Sequence, residues 1–162
     1  MRPEDIREFR DRQPFKPFRI VFTDGKTFEI PHWDFLFVTA HTVEIGVPAD
    51  PVSGMPAQRV VASPLHVIRV ESAQQETWSV HLTRRPETAI DAFMKPEELK
   101  GIRDQQPLAP LRLVLQDGRQ FEIRRRDHLF ITQDTLSIGV LTDPATGLPQ
   151  ETVHVSPDEV VR

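Results

Sequence analysis

Histidine is the side chain whose ordinary pKa suits acid–base work near neutral pH, and its neutral ring is a common metal ligand. The chain has six: His32, His41, His66, His81, His128 and His154. No two of them have the His-x-x-x-His spacing, there is no cysteine, and no acidic calcium loop is present, so no ligand set falls at a usable spacing. The sequence supplies a second test, because residues 1–69 recur as 94–162. Arg10-Asp11 returns as Arg103-Asp104, Asp24-Gly25 as Asp117-Gly118, Phe28-Glu29-Ile30 as Phe121-Glu122-Ile123, and Ile45-Gly46-Val47 as Ile138-Gly139-Val140. Against this background His32 faces Arg125, His41 faces Asp134, His66 faces Glu159, His128 faces Phe35 and His154 faces Val61, while His81 lies between the copies. No histidine is shared, and the six read as surface side chains.

Shared carboxylates include Glu4, Asp11, Asp24, Glu29, Asp34 and Asp50 with their counterparts. Asp24 and Asp50 fall in turn motifs, where a short side chain bonds its own backbone, and Glu4 falls in a helix's first turn. Glu29 and Asp34 flank a strand bend and are the pair suited to acid–base roles. No nucleophile stands beside them, so they read as a solvated face with ion pairs. The shared serine, Ser63 and Ser156, precedes proline, lacks a base and a glycine elbow, and reads as a helix cap. Gly25, Gly46 and Gly54 are isolated and build no phosphate cradle. These patterns imply no catalytic residue, no cofactor and no metal.

What remains lies in loops. Arg124-Arg125-Arg126 is a basic run that replaces Pro31-His32-Trp33 of the first copy. Met55-Pro56 and Leu148-Pro149 end two turn-rich stretches, 50–56 and 143–149, and set a rigid proline beside an apolar side chain. Exposed apolar anchors on fixed loops suit contact with a partner. Met55, Pro56, Leu148, Pro149, Arg124, Arg125 and Arg126 are therefore the candidate partner-binding residues. Phe15 and Leu108, also framed by prolines, read as plugs beneath a leading helix.

The elements that position these groups follow from periodicity. Pro3 with Glu4 and Asp5, then Ile6 and Phe9 on one face, predicts a short amphipathic helix; Pro96, Glu97, Glu98, Leu99 and Ile102 repeat it. Phe18, Ile20 and Phe22 alternate with Arg19, Val21 and Thr23 up to Asp24-Gly25, a hairpin signal in which both turn residues take positive φ. The next strand starts at Lys26 and continues, bent, through Phe35–Val38; further strands cover 42–47, 59–62 and 67–70, with a helical turn at Ser63-Pro64. The expected core of the first copy is Phe18, Ile20, Phe22, Phe28, Ile30, Phe37, Ile45, Val60 and Val67. The connector carries Trp78, Val80 and Leu82 in alternation, which predicts an extra strand, then a helical turn over 87–93.

A helix followed by five strands, with an Asp-Gly hairpin and one tight turn before the last strand, resembles the Sm-like arrangement, a small bent SH3-like barrel. The resemblance implies a mainly β fold of two tandem barrels: 1–70, a connector over 71–93, and 94–162. The phrase from Pro14 to Ile20, with Asp24-Gly25 and His66–Glu71, also resembles short uncharacterised bacterial proteins. Sm-like proteins bind RNA through an Asn-bearing loop and an Arg-Gly type pair. Here those positions read Thr39-Ala40-His41-Thr42 with Ala62-Ser63-Pro64, and Thr132-Gln133-Asp134-Thr135 with Val155-Ser156-Pro157, and both motifs are missing. Small barrels with open edges tend to bury them, either by a sheet shared between copies, by a ring of several chains, or under the Trp78–Leu82 strand.

A net charge of −4 argues against duplex DNA, and the acidic start and lack of a long apolar run argue against a leader or membrane segment, which makes a cytoplasmic protein the expectation. The reading is a non-catalytic binding or assembly module that engages a protein partner or itself. An Sm-like RNA-binding protein is the alternative, and an enzyme with a site in one copy is third.

Overall fold

The computed structural model describes residues 1–49, 54–73, 94–105 and 110–161. The first half has helix α1 (Pro3–Asp11) and strands β1 (Phe18–Phe22), β2 (Thr27–Ile30), β3 (Leu36–Val38), β4 (Val43–Ala49), β5 (Pro56–Ala62) and β6 (Val67–Ser72). The second has α2 (Pro96–Arg103), β7 (Leu111–Leu115), β8 (Gln120–Ile123), β9 (Leu129–Ile131), β10 (Leu136–Thr142), β11 (Pro149–Val155) and β12 (Val160–Val161). The fold is mainly β. Its described strands form four three-stranded sheets, ordered β2-β1-β6, β3-β4-β5, β12-β7-β8 and β11-β10-β9, none closed on itself among the described residues. No described helix is long and apolar enough to cross a membrane.

Local chemistry explains most boundaries. Pro3 and Pro96 occupy the first helical turns, where a missing N–H costs nothing, with acidic residues beside them at the positive end of the dipole. Ser63 Oγ accepts from Leu65 N at 3.3 Å and caps a 3-10 turn, Pro64–His66, as its position before proline predicts. The hairpin at Asp24-Gly25 forms, but with a different turn. Gly25 N donates to Phe22 O, so Thr23 and Asp24 are the central residues and only Gly25 (φ 81°) takes the left-handed region. Phe22 N then donates to Lys26 O at 2.9 Å, closing a three-residue loop, and Asp24 Oδ1 accepts from Lys26 N at 3.0 Å. Asp117-Gly118 repeats this geometry.

The strand expected to run bent from Lys26 to Val38 is broken. β2 stops at Ile30, a 3-10 turn spans Trp33–Phe35, and β3 belongs to another sheet. This turn, repeated at Arg126–His128, faces Asp34 and Asp127 toward the opposite half. The predicted strand and helical turn between 74 and 93 lie outside the described residues.

Each half has its own core. Ile6, Phe18, Ile20, Phe22, Ile30, Leu36, Val38, Val43 and Ile45 pack together in the first, and Leu99, Leu113, Leu115, Ile123, Leu129, Ile131, Leu136 and Ile138 in the second. Three expected members differ: Phe28 packs against the core only half-buried, Val60 is likewise half-buried, and Phe37, 1 % exposed, stacks on Phe130 of the other half with ring centroids 6.1 Å apart. Alternation is the reason. Leu36 and Val38 point inward, so Phe37 projects from the opposite face of β3, which is covered by β9. Phe15 packs half-buried against the first core, 5.8 Å from Phe18, as a plug would; Leu108 lies outside the described residues.

Candidate functional site

The chemically loaded residues converge where the two halves meet. No described strand of one half pairs with a strand of the other, so the shared sheet expected between copies is absent from the described residues. The halves instead exchange loop tips. Met55, 1 % exposed, belongs to the core of the second half, and Leu148, 1 % exposed, belongs to the core of the first. Backbone bonds fasten both exchanges: Gln133 N donates to Pro56 O at 3.0 Å, and Ala40 N donates to Pro149 O at 2.8 Å. The second loop is held by Asp143, whose side chain accepts from Ala145 N at 2.9 Å and Thr146 Oγ1 at 3.0 Å. Pro56 and Pro149 are buried as well, each folded over a glycine. A Cβ on Gly46 would stand 2.4 Å from Pro56, and one on Gly139 2.5 Å from Pro149, so only glycine admits the prolines. The exposed anchors expected at Met55, Pro56, Leu148 and Pro149 are therefore buried; their partner is the opposite half.

Charged residues follow the same reciprocity. α1 sends Arg7 and Arg10 to Asp127 at 3.0 and 3.3 Å, and α2 sends Lys100 and Arg103 to Asp34 at 2.9 and 3.5 Å. The i, i+4 pairs Ile6/Arg10 and Leu99/Arg103 put a core residue and the buried arginine on one helical face. Asp34 is 4 % exposed, not part of a solvated face, whereas Glu29 is exposed and pairs with Arg19 at 2.6 Å. Burial by itself would raise the Asp34 pKa. The hydrogen bond from His32 and the charge of Lys100 outweigh it and hold the carboxyl well below its usual range.

A second cluster joins Glu44 on β4 to Ser137 on β10, equivalent positions that meet each other. Ser137 Oγ donates to Glu44 Oε2 at 2.6 Å and lies 3.1 Å from His154 Nδ1; Arg59 Nη1 is 3.2 Å from both Glu44 Oε2 and His154 Nε2. With the serine proton given to Glu44, Nδ1 carries the imidazole proton and Nε2 accepts from Arg59, which fixes a neutral tautomer. Burial lowers the His154 pKa first, Glu44 opposes and Arg59 adds to the lowering. Serine, histidine and glutamate are present, yet the connectivity is not that of a catalytic triad: the serine proton goes to the carboxylate, and Ser137 is 0 % exposed. Glu44, 1 % exposed, accepts from two donors, Ser137 Oγ and the Arg59 guanidinium, so its buried charge between the halves is matched.

Of the histidines, His128 departs from the surface reading. It is 7 % exposed, its Nε2 has no hydrogen-bond partner among the described residues, and burial depresses its pKa against the opposing effects of Asp127 and the Gly147 backbone. His81 lies outside the described residues. The arginine run is not a free basic surface: Arg124 pairs with Glu122 at 3.0 Å, Arg125 with Asp127 at 3.0 Å, and Arg126 sits over the Trp33 ring at 4.7 Å. Beside Trp33 a cleft of about 10 Å³ opens between the halves, room for one water-sized species and too small for an organic substrate. No group of three metal-ligating side chains occurs among the described residues. No protein-family model, curated protein or solved structure matches the chain.

Proposed function

We propose that the chain is a non-catalytic binding or assembly module of two small bent, SH3-like and Sm-like barrels with internal pseudo-twofold symmetry, and that its partner is another protein. The barrel reading draws support from two sheets enclosing a single core in each half, with a helix contributing Ile6 or Leu99 to it. The observation that carries the partner reading is the exposed apolar surface of the first half: Val61 (51 % exposed), Leu65 (79 %) and Ile68 (52 %), on or between β5 and β6. Among the described residues both strands end their sheets, so backbone that no described strand pairs lies beside apolar side chains, a combination that suits an extended protein segment. The second half carries His154, Asp158 and Val161 at these positions, so only one of the three stays apolar there.

The RNA alternative is weakened by two features. The arginine run is paired, and the turns 39–42 and 132–135, which correspond to RNA-binding loops of Sm-like proteins, are closed by Pro149 and Pro56 of the opposite half. Affinity capture from native cells, with and without nuclease, tests the reading. A protein retained after nuclease and lost with the double variant Leu65→Asp/Ile68→Ser is the expected result; defined RNA with no enriched protein contradicts it.

A further inference from the structure

Arg103 is 1 % exposed, and its Nη2 has no hydrogen-bond partner among the described residues. Asp34 Oδ2 stands 3.5 Å away, in ion-pair range but outside hydrogen-bond geometry. A buried guanidinium nitrogen without an acceptor is costly, more so than a neutral group. Arg103 lines the cleft between the halves together with Arg10, Trp33, Asp34, Arg126 and Asp127. Three guanidinium groups thus face two carboxylates across the cleft, while behind it Arg103 Nε and Arg10 Nε each hold a further carboxylate, Asp104 and Asp11, both at 2.8 Å. The two cleft carboxylates are engaged elsewhere as well, Asp34 by Lys100 and His32, Asp127 by Arg7 and Arg125. Arg103 and Arg126 also share the Trp33 ring, at 4.8 and 4.7 Å from its centroid, so two like charges adjoin one aromatic side chain. Positive charge is in excess at a place walled by Phe37 and Phe130, where low polarity strengthens both repulsion among the cations and attraction for an anion.

We propose that this cleft is a binding site for a small monovalent anion of halide size, with Arg103 Nη2 as its buried donor and Arg126 and Trp33 closing the mouth. Size selects the ligand. A cavity of about 10 Å³ takes a water-sized species, and a halide is only slightly larger, whereas sulfate, phosphate and carboxylate groups are not accommodated. Charge selects the anion over water: water satisfies the nitrogen but leaves the excess positive charge unmatched. The site joins both halves, since Arg103 and Arg126 belong to the second and Trp33 to the first, so an occupied site tightens the interface.

Thermal unfolding of the full chain in sodium chloride against sodium gluconate, at constant ionic strength, is the test. Chloride raises the midpoint along a single-site isotherm, by roughly 3–6 °C at ten times its dissociation constant. Bromide behaves alike, sulfate gives no saturating component, and Arg126→Gln, a change at a half-buried position, abolishes the chloride effect. Arg103→Met should abolish it too; if that variant fails to fold, Arg126→Gln still decides. Crystals soaked in bromide should show an anomalous peak within hydrogen-bond distance of Arg103 Nη2. Equal midpoints in chloride and gluconate, a saturating shift that survives in Arg126→Gln, or no bromide peak in the cleft would each overturn the proposal.

Discussion

Replacing Leu148 by Ala removes three carbons from a side chain that is 1 % exposed and packed in the core of the half to which it does not belong in sequence. At about 0.8 kcal/mol per buried carbon the transfer loss is about 2.4 kcal/mol, and a cavity that cannot fully collapse brings the total to about 3–4 kcal/mol. For a chain of this size that lowers the unfolding midpoint by roughly 6–16 °C. Urea unfolding followed by circular dichroism gives the free energy, and native-state hydrogen exchange gives its location. Amides of β1 and β4, in the first half, should lose protection although the substitution is in the second. An exposed loop tip would respond differently, with a change within about 0.5 kcal/mol. A loss below about 1 kcal/mol, or one confined to 110–161, would refute the exchange of loop tips.

Three further outcomes follow from the interface. Asp34→Asn leaves Arg103 and Lys100 facing an uncharged amide in a buried site and should cost about 3 kcal/mol by urea unfolding, while Glu29→Gln, at an exposed pair, should cost under about 0.5 kcal/mol. His128 and His154 both have folded-state pKa values depressed below the unfolded value near 6.5, so as pH falls the unfolded chain takes up the proton first; stability held above that value is lost as pH falls through the folded values, and the urea midpoint should drop between pH 7.5 and 5.5 less steeply in His128→Gln/His154→Gln. Gly46→Ala places a Cβ against Pro56 and should destabilise by about 1–3 kcal/mol, whereas Gly101→Ala, in α2 with nothing within 4 Å of the new carbon, should stabilise by about 0.5–1 kcal/mol; thermal scans of the two variants compare them.

Features set by local chemistry were legible in the sequence: the proline-led helices, the Asp-Gly hairpins, the Ser-Pro cap and the alternation of β1. The turn type is not legible in the same way, because an Asp-Gly pair serves a two-residue loop and a three-residue loop with glycine last equally well. What sequence patterns conveyed less well is long-range. Met55 and Leu148 lie in stretches whose composition describes a loop and says nothing of what the loop touches. A signal was nevertheless present in Leu36-Phe37-Val38 and Leu129-Phe130-Ile131, three apolar residues in succession in each copy. A half-exposed strand alternates, so an unbroken apolar run means that both faces are covered. Arg10 and Arg103 gave a second signal, since each follows its core residue, Ile6 or Leu99, by one helical turn and faces the same way. The fixed pairing of these arginines with Asp34 and Asp127 could not be read from spacing, because the partners belong to opposite copies.

The interlocking of the halves is tested most directly by nuclear Overhauser contacts of the Leu148 methyl groups and the Met55 ε-methyl. Leu148 should show contacts to methyl groups among Ile6, Ile20, Ile30, Val43 and Ile45, and Met55 to those among Leu99, Leu113, Ile123, Leu136 and Ile138. If Leu148 contacts only residues of 94–162, and Met55 only residues of 1–73, the halves do not complete each other's cores and the interface described above does not form.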